Sequence, residues 1–473
     1  MARFRAPTGN GEVLAVPGFA DVPRLVEGNR RKLDRTDVVI GGLPLRELRA
    51  LARREAMEGG IGAKLPAGGT EAPLLLTGHQ PELAHPGEWV KNFALNGLAK
   101  RLGGTPLNLI VDNDTLKIAS LRFPVLHPPG PKAHLESLPF DTFAGEVPYE
   151  DRVVRDEGLF RTFPERAAHL WTNLGYEPLL ARVWKFAGNI GDAFTAMRRR
   201  CEHDWGCRNA ELHVSRLSLT DAFARFATHI FGDLPRFRRL YNAAIRAYRE
   251  ANGVRSENHP APELAEGEAP FWVRTTTGRR ERATPASDVR TLRPRALTLT
   301  LFARVCLGDF FIHGIGGGKY DEVTDALIRD YFGIDPPAYQ VLSATLHLPL
   351  PGFPSTPDDF RAAERRVRDL HWNPQRHLSP GVTTELLAGK AALIAAEPPV
   401  GERAARRAWF RELQAITEEL RPFVRKQVPV AKANLARVRA EVAANEVLRR
   451  RDYSWVLYPE EVLRPFLRRF LDV

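Results

Sequence analysis

Residues 74–114 read LLLTGHQPELAHPGEWVKNFALNGLAKRLGGTPLNLIVDND. The apolar run Leu74-Leu75-Leu76 ends in a polar turn, Thr77-Gly78-His79-Gln80-Pro81. Trp89, Val90, Phe93, Ala94, Gly97, Leu98 and Leu102 then keep helical spacing, and Gly103-Gly104 stops the helix. A second apolar run, Leu107 to Val111, closes in Asp112-Asn113-Asp114. Strand, polar loop, helix and strand make a βαβ unit. Its reactive side chains fall at the strand C-terminal ends, the edge of an open α/β sheet where ligands bind.

A second unit follows late in the chain. Leu297–Leu307 reads as a helix, Phe310–His313 as a short buried strand, and Gly314-Ile315-Gly316-Gly317-Gly318-Lys319 as a glycine-rich turn. Asp321–Phe332 is a helix ended by Gly333, and Tyr339–Leu348 is the next strand. Two such units predict a Rossmann-like α/β fold with a mostly parallel, doubly wound sheet and a crevice between its halves. That core spans residues 1–355, with a helical insertion at about 165–290 and a long polar connection at 252–270. A strand pair is expected around Ala133 to Val147. Residues 356–450 read as a coiled-coil or helical-hairpin domain, since Leu413, Ile416, Leu420 and Phe423 keep 3–4 spacing and Pro422 and Pro429 interrupt the run. This spacing predicts a homodimer through residues 400–450. Residues 451–473 carry Trp455, Tyr458 and Phe466 and are expected to fold back onto the core.

With 473 residues, 44% hydrophobic and 26% charged, the chain has the composition of a soluble globular protein. No run approaches the roughly 18 apolar residues of a membrane helix, and MARFRAPTGNGEV shows no secretory h-region. Three cysteines argue for a reducing cytosol, hence a cytoplasmic location. The net charge of +11 and pI near 9.7 invite a nucleic-acid reading. No aromatic-interleaved basic patch or nucleic-acid motif supports it, and an anionic small substrate fits the charge equally well.

Four groups of residues bear on chemistry. His79, with Thr77, Gly78, Gln80 and the nearby His85 and Lys91, sits before a helix opening at Pro86; imidazole, ammonium and free helix N–H groups together suit phosphate oxygens. The bland reading is a turn in which His79 caps backbone groups. Asp112, Asn113 and Asp114 can hold an amine, a ribose or a metal, or can serve as helix N-caps. The His313–Lys319 segment lets backbone N–H groups approach an anion. Cys201, His203, Cys207 and His213 match no zinc template, and no metal site is expected of them.

In these residues the chain resembles the bacillithiol-biosynthesis cysteine-adding enzyme family. Members carry a T-G-Q-Q-like turn, a glycine-containing loop and a helix with a lysine, matched here by Thr77, Gly78, His79, Gln80, Gly87 and Lys91. Their acidic D-H-D-like strand end is matched by Asp112-Asn113-Asp114, and their late glycine-rich turn by Gly314–Gly318. A dimerising C-terminal coiled coil looks like residues 358–450. His79 stands where the family has its first Gln, and Asn113 where it has a central His. The His-Gln-Pro at 79–81 is also similar to the WbqC-like family, linked to sugar or acyl-group modification. The first resemblance implies a core akin to nucleotidyltransferases and class I synthetases.

The implied reaction is ATP-dependent joining of an amino acid, possibly cysteine, to a small amine-bearing metabolite, with ATP and Mg2+ as cofactors. His79, Lys91, Asp112 and Asp114 would carry the chemistry. Thr77, Gly78, Gln80, Gly87, His313, Gly314, Gly316, Gly317, Gly318 and Lys319 would bind the cofactor. The alternatives are a non-catalytic nucleotide- or metabolite-binding homodimer, or a sugar- or acyl-group-modifying enzyme similar to the WbqC-like family.

Overall fold

The computed structural model describes residues 4–62, 71–127, 130–143, 145–172, 175–276, 278–378 and 384–473. Two units divide these residues: 1–123, 137–349 and 451–473 form the first, 124–136 and 350–450 the second.

The first unit is mixed α/β, with a mostly parallel central sheet of six strands: β1 (Val13–Val16), β2 (Leu74–His79), β3 (Thr105–Ile110), β4 (Ala210–His213), β5 (Phe310–His313) and β6 (Gln340–Ala344). Their order is β1-β6-β5-β2-β3-β4. β1 runs antiparallel to β6, and every other pairing is parallel. From β2 the chain steps outward to β3 and β4, then returns to lay β5 on the other side of β2. The order therefore turns back between the strands that end in His79 and His313.

β2 opens on the apolar run Leu74-Leu75-Leu76 and β5 on Phe310-Phe311-Ile312, as strands covered on both faces do. Leu74, Leu76, Leu107, Leu109, Leu212 and Phe311 alternate onto one face. There they share a core with the helices α1 (Leu45–Gly59) and, later in the chain, Asp221–Gly232 and Leu234–Asn252. Helix α2 (Pro86–Arg101) packs on β2, β3 and β6 from the other face and is buried on nearly all sides. This all-round burial explains its weak amphipathic pattern. Beyond it lies α3 (Ile190–Asp204). Helix α4 (Ile315–Phe332) follows β5 and contributes Val323, Leu327 and Ile328 to the first face. Residues 451–473 pack on α2: Trp455 lies 4.8 Å from the Trp89 ring, and Tyr458 Oη donates to Leu346 O at 2.6 Å.

Three expectations are corrected. The stretch expected as a helical insertion contains strand β4 and a three-stranded antiparallel sheet of Phe271–Arg274, Arg280–Arg282 and Leu292–Pro294. The four residues of β4 are too few to display a period. The strand pair lies at Ser120–Leu126 and Ala133–Pro139, earlier than expected. The glycine-rich segment is not a turn, since α4 begins at Ile315 and Gly316–Lys319 are already helical.

The second unit is mainly helical. Helices α5 (Pro357–Trp372), α6 (Thr384–Ala395), α7 (Arg403–Val424) and α8 (Gln427–Leu448) form it, with α5 packed on α8 and α6 on α7. A capping box at Thr356 and Asp359 starts α5. Regular helix breaks at Arg425–Lys426, between Pro422 and Pro429. Val424 and Ala431 bury against Leu370.

Candidate functional site

β2 delivers His79 to the sheet's C-terminal edge, and α2 opens one loop later with His85 as N-cap and Glu88 in its first turn. His79 Nε2 lies 2.8 Å from Glu88 Oε1 and 3.7 Å from Glu82 Oε1, and His85 Nε2 lies 3.9 Å from Glu88 Oε2. His79 Nδ1 sits 3.0 Å from Gln80 O. A carbonyl can only accept, so Nδ1 carries a proton and Nε2 is the atom presented to the carboxylates. Almost one turn after Glu88, the Lys91 amine donates to Gly78 O at 3.5 Å, with the residue only 3% exposed. A Cβ built on Gly314 would stand 3.7 Å from Lys91 Nζ and 3.9 Å from Glu88 Oε1. Gly314 is the N-cap of the 18-residue helix α4, so that helix opens beside Lys91 and Glu88, across the point where the strand order turns back.

Charge is concentrated here and partly withdrawn from water, with Lys91 buried and Glu82 at the exposed rim. Burial opposes ionisation of Glu88, but His79 and Lys91 outweigh it and hold the carboxyl far below its usual range. Burial likewise opposes the charged form of His79, and Glu88 outweighs it, raising the imidazole above its ordinary value. Burial wins at His85, which falls to about 4, and at Lys91, which is lowered despite Glu88. Burial raises Glu82, against the pull of His79. The group is thus a histidine–carboxylate pair beside a buried lysine and a second histidine.

Next to this group, Gln80 Nε2 donates to Asp114 Oδ2 at 2.8 Å, and Arg280 Nη1 lies 3.4 Å from Asp114 Oδ1. Gln80, Glu82 and Asp114 line a cleft of about 510 Å3 together with Lys117, Arg122 and Tyr149, within the range of small-molecule sites. Asp112 turns the other way. Its carboxylate accepts from Ser215 N at 2.9 Å, from Ser215 Oγ and from His213 Nδ1 at 3.0 Å. Those bonds tie Asp112 to the end of β4. Asn113 donates to Pro294 O.

Further corrections follow for the glycine and threonine positions. Gly87 brings α2 against β6: a Cβ there would stand 1.8 Å from Ala344 O. Gly318 does the same for α4, where a Cβ would meet Val341 Cγ2 at 2.3 Å. Gly317 covers the His313 ring, its Cβ position being 2.8 Å from Nδ1. Thr77 Oγ1 ties β2 to β5 through Ile312 O. His313 is buried on Phe311 with Nε2 2.6 Å from Asp321 Oδ2, a carboxylate that Arg304 also holds at 2.8 Å. It therefore faces a structural charge cluster under α4 and not the crevice. Lys319 and Gly316 are exposed on α4.

Sequence reasoning brought His79, Gln80, Lys91, Asp114 and Gly314 to one edge but missed Glu82, Glu88, His213 and Ser215. The signal for the first two was present. His79, Glu82, His85 and Glu88 recur at three-residue steps, and Glu88 is an acid in the first turn of a helix. Cys207 Sγ contacts Asn92 O, and His213 is engaged by Asp112.

The arrangement defines a mixed α/β protein with a charged crevice at the C-terminal edge of a mostly parallel sheet. No protein-family model and no curated protein matches the chain. Among solved structures it is similar to the tyrosyl-tRNA synthetase of Archaeoglobus fulgidus, crystallised with L-tyrosine, at 12% identity and a TM-score of 0.25, over 90% of this chain and 100% of that one. Among the described residues, no helix is long and apolar enough to cross a membrane.

Proposed function

We propose that this chain is a cytoplasmic ATP-dependent ligase or nucleotidyl-transfer enzyme, with a Rossmann-like, doubly wound core, that joins an amino acid to a small amine-bearing metabolite. The observation that carries the reading is the convergence of Lys91, the His79–Glu88 pair and the N-terminus of α4 at the turn-back between β2 and β5. Such a turn-back is where open α/β sheets hold nucleotides. Free N–H groups and the positive end of α4, the Lys91 ammonium and the His79 imidazolium would stabilise charge growing on a transferring phosphoryl or adenylyl group. The adjoining cleft offers Asp114 to an amine and Gln80 to orient that carboxylate. Magnesium would come with the nucleotide, as it does in phosphoryl transfer generally.

Calorimetric titration with Mg-ADP tests the reading. We expect saturable binding by the parent and its loss in Lys91→Met, together with release of pyrophosphate or ADP from ATP in the presence of the right amino acid. No binding at millimolar nucleotide, or equal binding by Lys91→Met, overturns it.

A further inference from the structure

The loop before α2 carries the repeat His79-x-x-Glu82-x-x-His85-x-x-Glu88. Nothing in the helix or the strand requires three-residue steps across a segment broken by Pro81 and Pro86. Yet the fold gathers three of its side chains at one point: one donor atom from each of His79, Glu82 and Glu88 lies within 4.8 Å of the other two. Among the described residues this is the one group of metal-capable side chains that gathers so closely. Donors bound 2.0–2.2 Å from an ion at tetrahedral angles stand about 3.4 Å apart. The His79 separations of 2.8 and 3.7 Å bracket that spacing.

Two features of the histidines point to a ligand. The His79 Nδ1 proton is committed to Gln80 O, which aims Nε2 at two carboxylates. Metal-binding histidines are held in this way, by a backbone carbonyl on the opposite ring nitrogen. A bare Nε2 facing carboxylate oxygens is repulsive unless a proton or a cation stands between them. His85, the N-cap of α2, is the second: its Nε2 approaches the other oxygen of Glu88, while its buried Nδ1 has no hydrogen-bond partner.

We propose that His79, Glu82 and Glu88 bind a divalent transition ion of the zinc type, with His85 beside them as a fourth donor within reach. Imidazole with carboxylates suits zinc, cobalt or manganese better than magnesium or calcium, which favour all-oxygen shells. Three protein donors would leave a position open to water or substrate, the pattern of catalytic rather than structural ions. On binding, the Nε2–H bond of His79 is replaced by an Nε2–metal bond and the proton passes to solvent. The site deepens the nucleotide reading, because the positive charge that His79 contributes there would be carried by the ion.

The test uses the full chain, stripped with a chelator and titrated with Co2+ in the absence of nucleotide. Ligand-field absorption reports ligation, and elemental analysis after Zn2+ loading and desalting reports stoichiometry. One ion per chain is expected. Glu82 is exposed, so Glu82→Gln should keep the parent circular dichroism while weakening binding by more than about 10-fold, the lower end of what even an outer-shell partner costs. His79→Ala should abolish the absorption. His127 and His134 stack on the surface and offer a competing explanation, so His134→Ala should leave binding unchanged. Absent stoichiometric binding, binding indifferent to Glu82→Gln and His79→Ala, or binding lost in His134→Ala each overturns the proposal. Mg-ADP titration of the same samples scores the nucleotide reading separately. Cobalt without nucleotide binding, or nucleotide without cobalt binding, removes one and leaves the other.

Discussion

Lys91 places a long cationic side chain where water is almost absent, held by one long bond to a carbonyl. A residue whose only use were folding would not be ionisable there, since burying a charge costs free energy that apolar packing does not. Lys91→Met keeps the stem and removes the amine. We expect that variant to be equally stable or up to about 4 kcal/mol more stable in urea melts while losing nucleotide binding. A second residue-scale outcome concerns His213. Burial disfavours its charged form, but the hydrogen bond and charge of Asp112 prevail and raise its pKa. A folded pKa above the unfolded value near 6.5 makes the protonated pair stabilising at low pH, and the benefit disappears as pH rises through the folded value. His213→Asn should therefore destabilise the protein most at about pH 5.5, with the gap to the parent narrowing as pH rises. A gap that widens with pH would contradict the His213–Asp112 linkage.

The opening of α4 separates two uses of glycine within one turn. Nothing lies within 4 Å of a Cβ at Gly316, whereas one at Gly318 meets Val341. Gly316→Ala should then stabilise α4 by about 0.5–1 kcal/mol, and Gly318→Ala should destabilise the protein by about 1–3 kcal/mol. Thermal denaturation of the pair checks both signs, and loss in both would mean that the segment is not helical. In the sequence these glycines looked like a phosphate-cradling turn, because composition marks where a side chain is excluded but not whether ligand or protein excludes it. The β2–α2–β3 unit was legible because its apolar runs are long and its breaks abrupt. β4 was not, since Ala-Glu-Leu-His shows no run and becomes a strand only by pairing with β3. His79 and Lys91 could be found from position alone. Glu88 needed a second signal, its three-residue steps from His79 and its place in the first turn of a helix, because a strand end alone does not mark it.

For the molecule as a whole, the apolar stripe that suggested a dimer is partly used within the chain, where Val424 and Ala431 meet Leu370. Phe410, Phe423 and Val430 remain exposed. Our proposal of self-association through residues 400–450 therefore depends on that outward face. Light scattering at micromolar concentration should show a dimer that Phe410→Asp weakens, and a monomeric parent would end the idea. The packing of residues 451–473 on α2 has a different kind of consequence. Trp455 closes over Trp89, and the backbone at Phe470 and Leu471 runs so near Gly97 that any side chain there would collide. The helix carrying Glu88 and Lys91 emerges from the ribosome long before the residues that cover it. Throughout synthesis its aromatic flank has no lid, so the crevice is assembled only after translation has passed residue 470. A nascent chain stalled at 450 should expose Trp89 to chaperones and bind no nucleotide, and a ribosome-release assay with a fluorescent ADP analogue would time the site's birth.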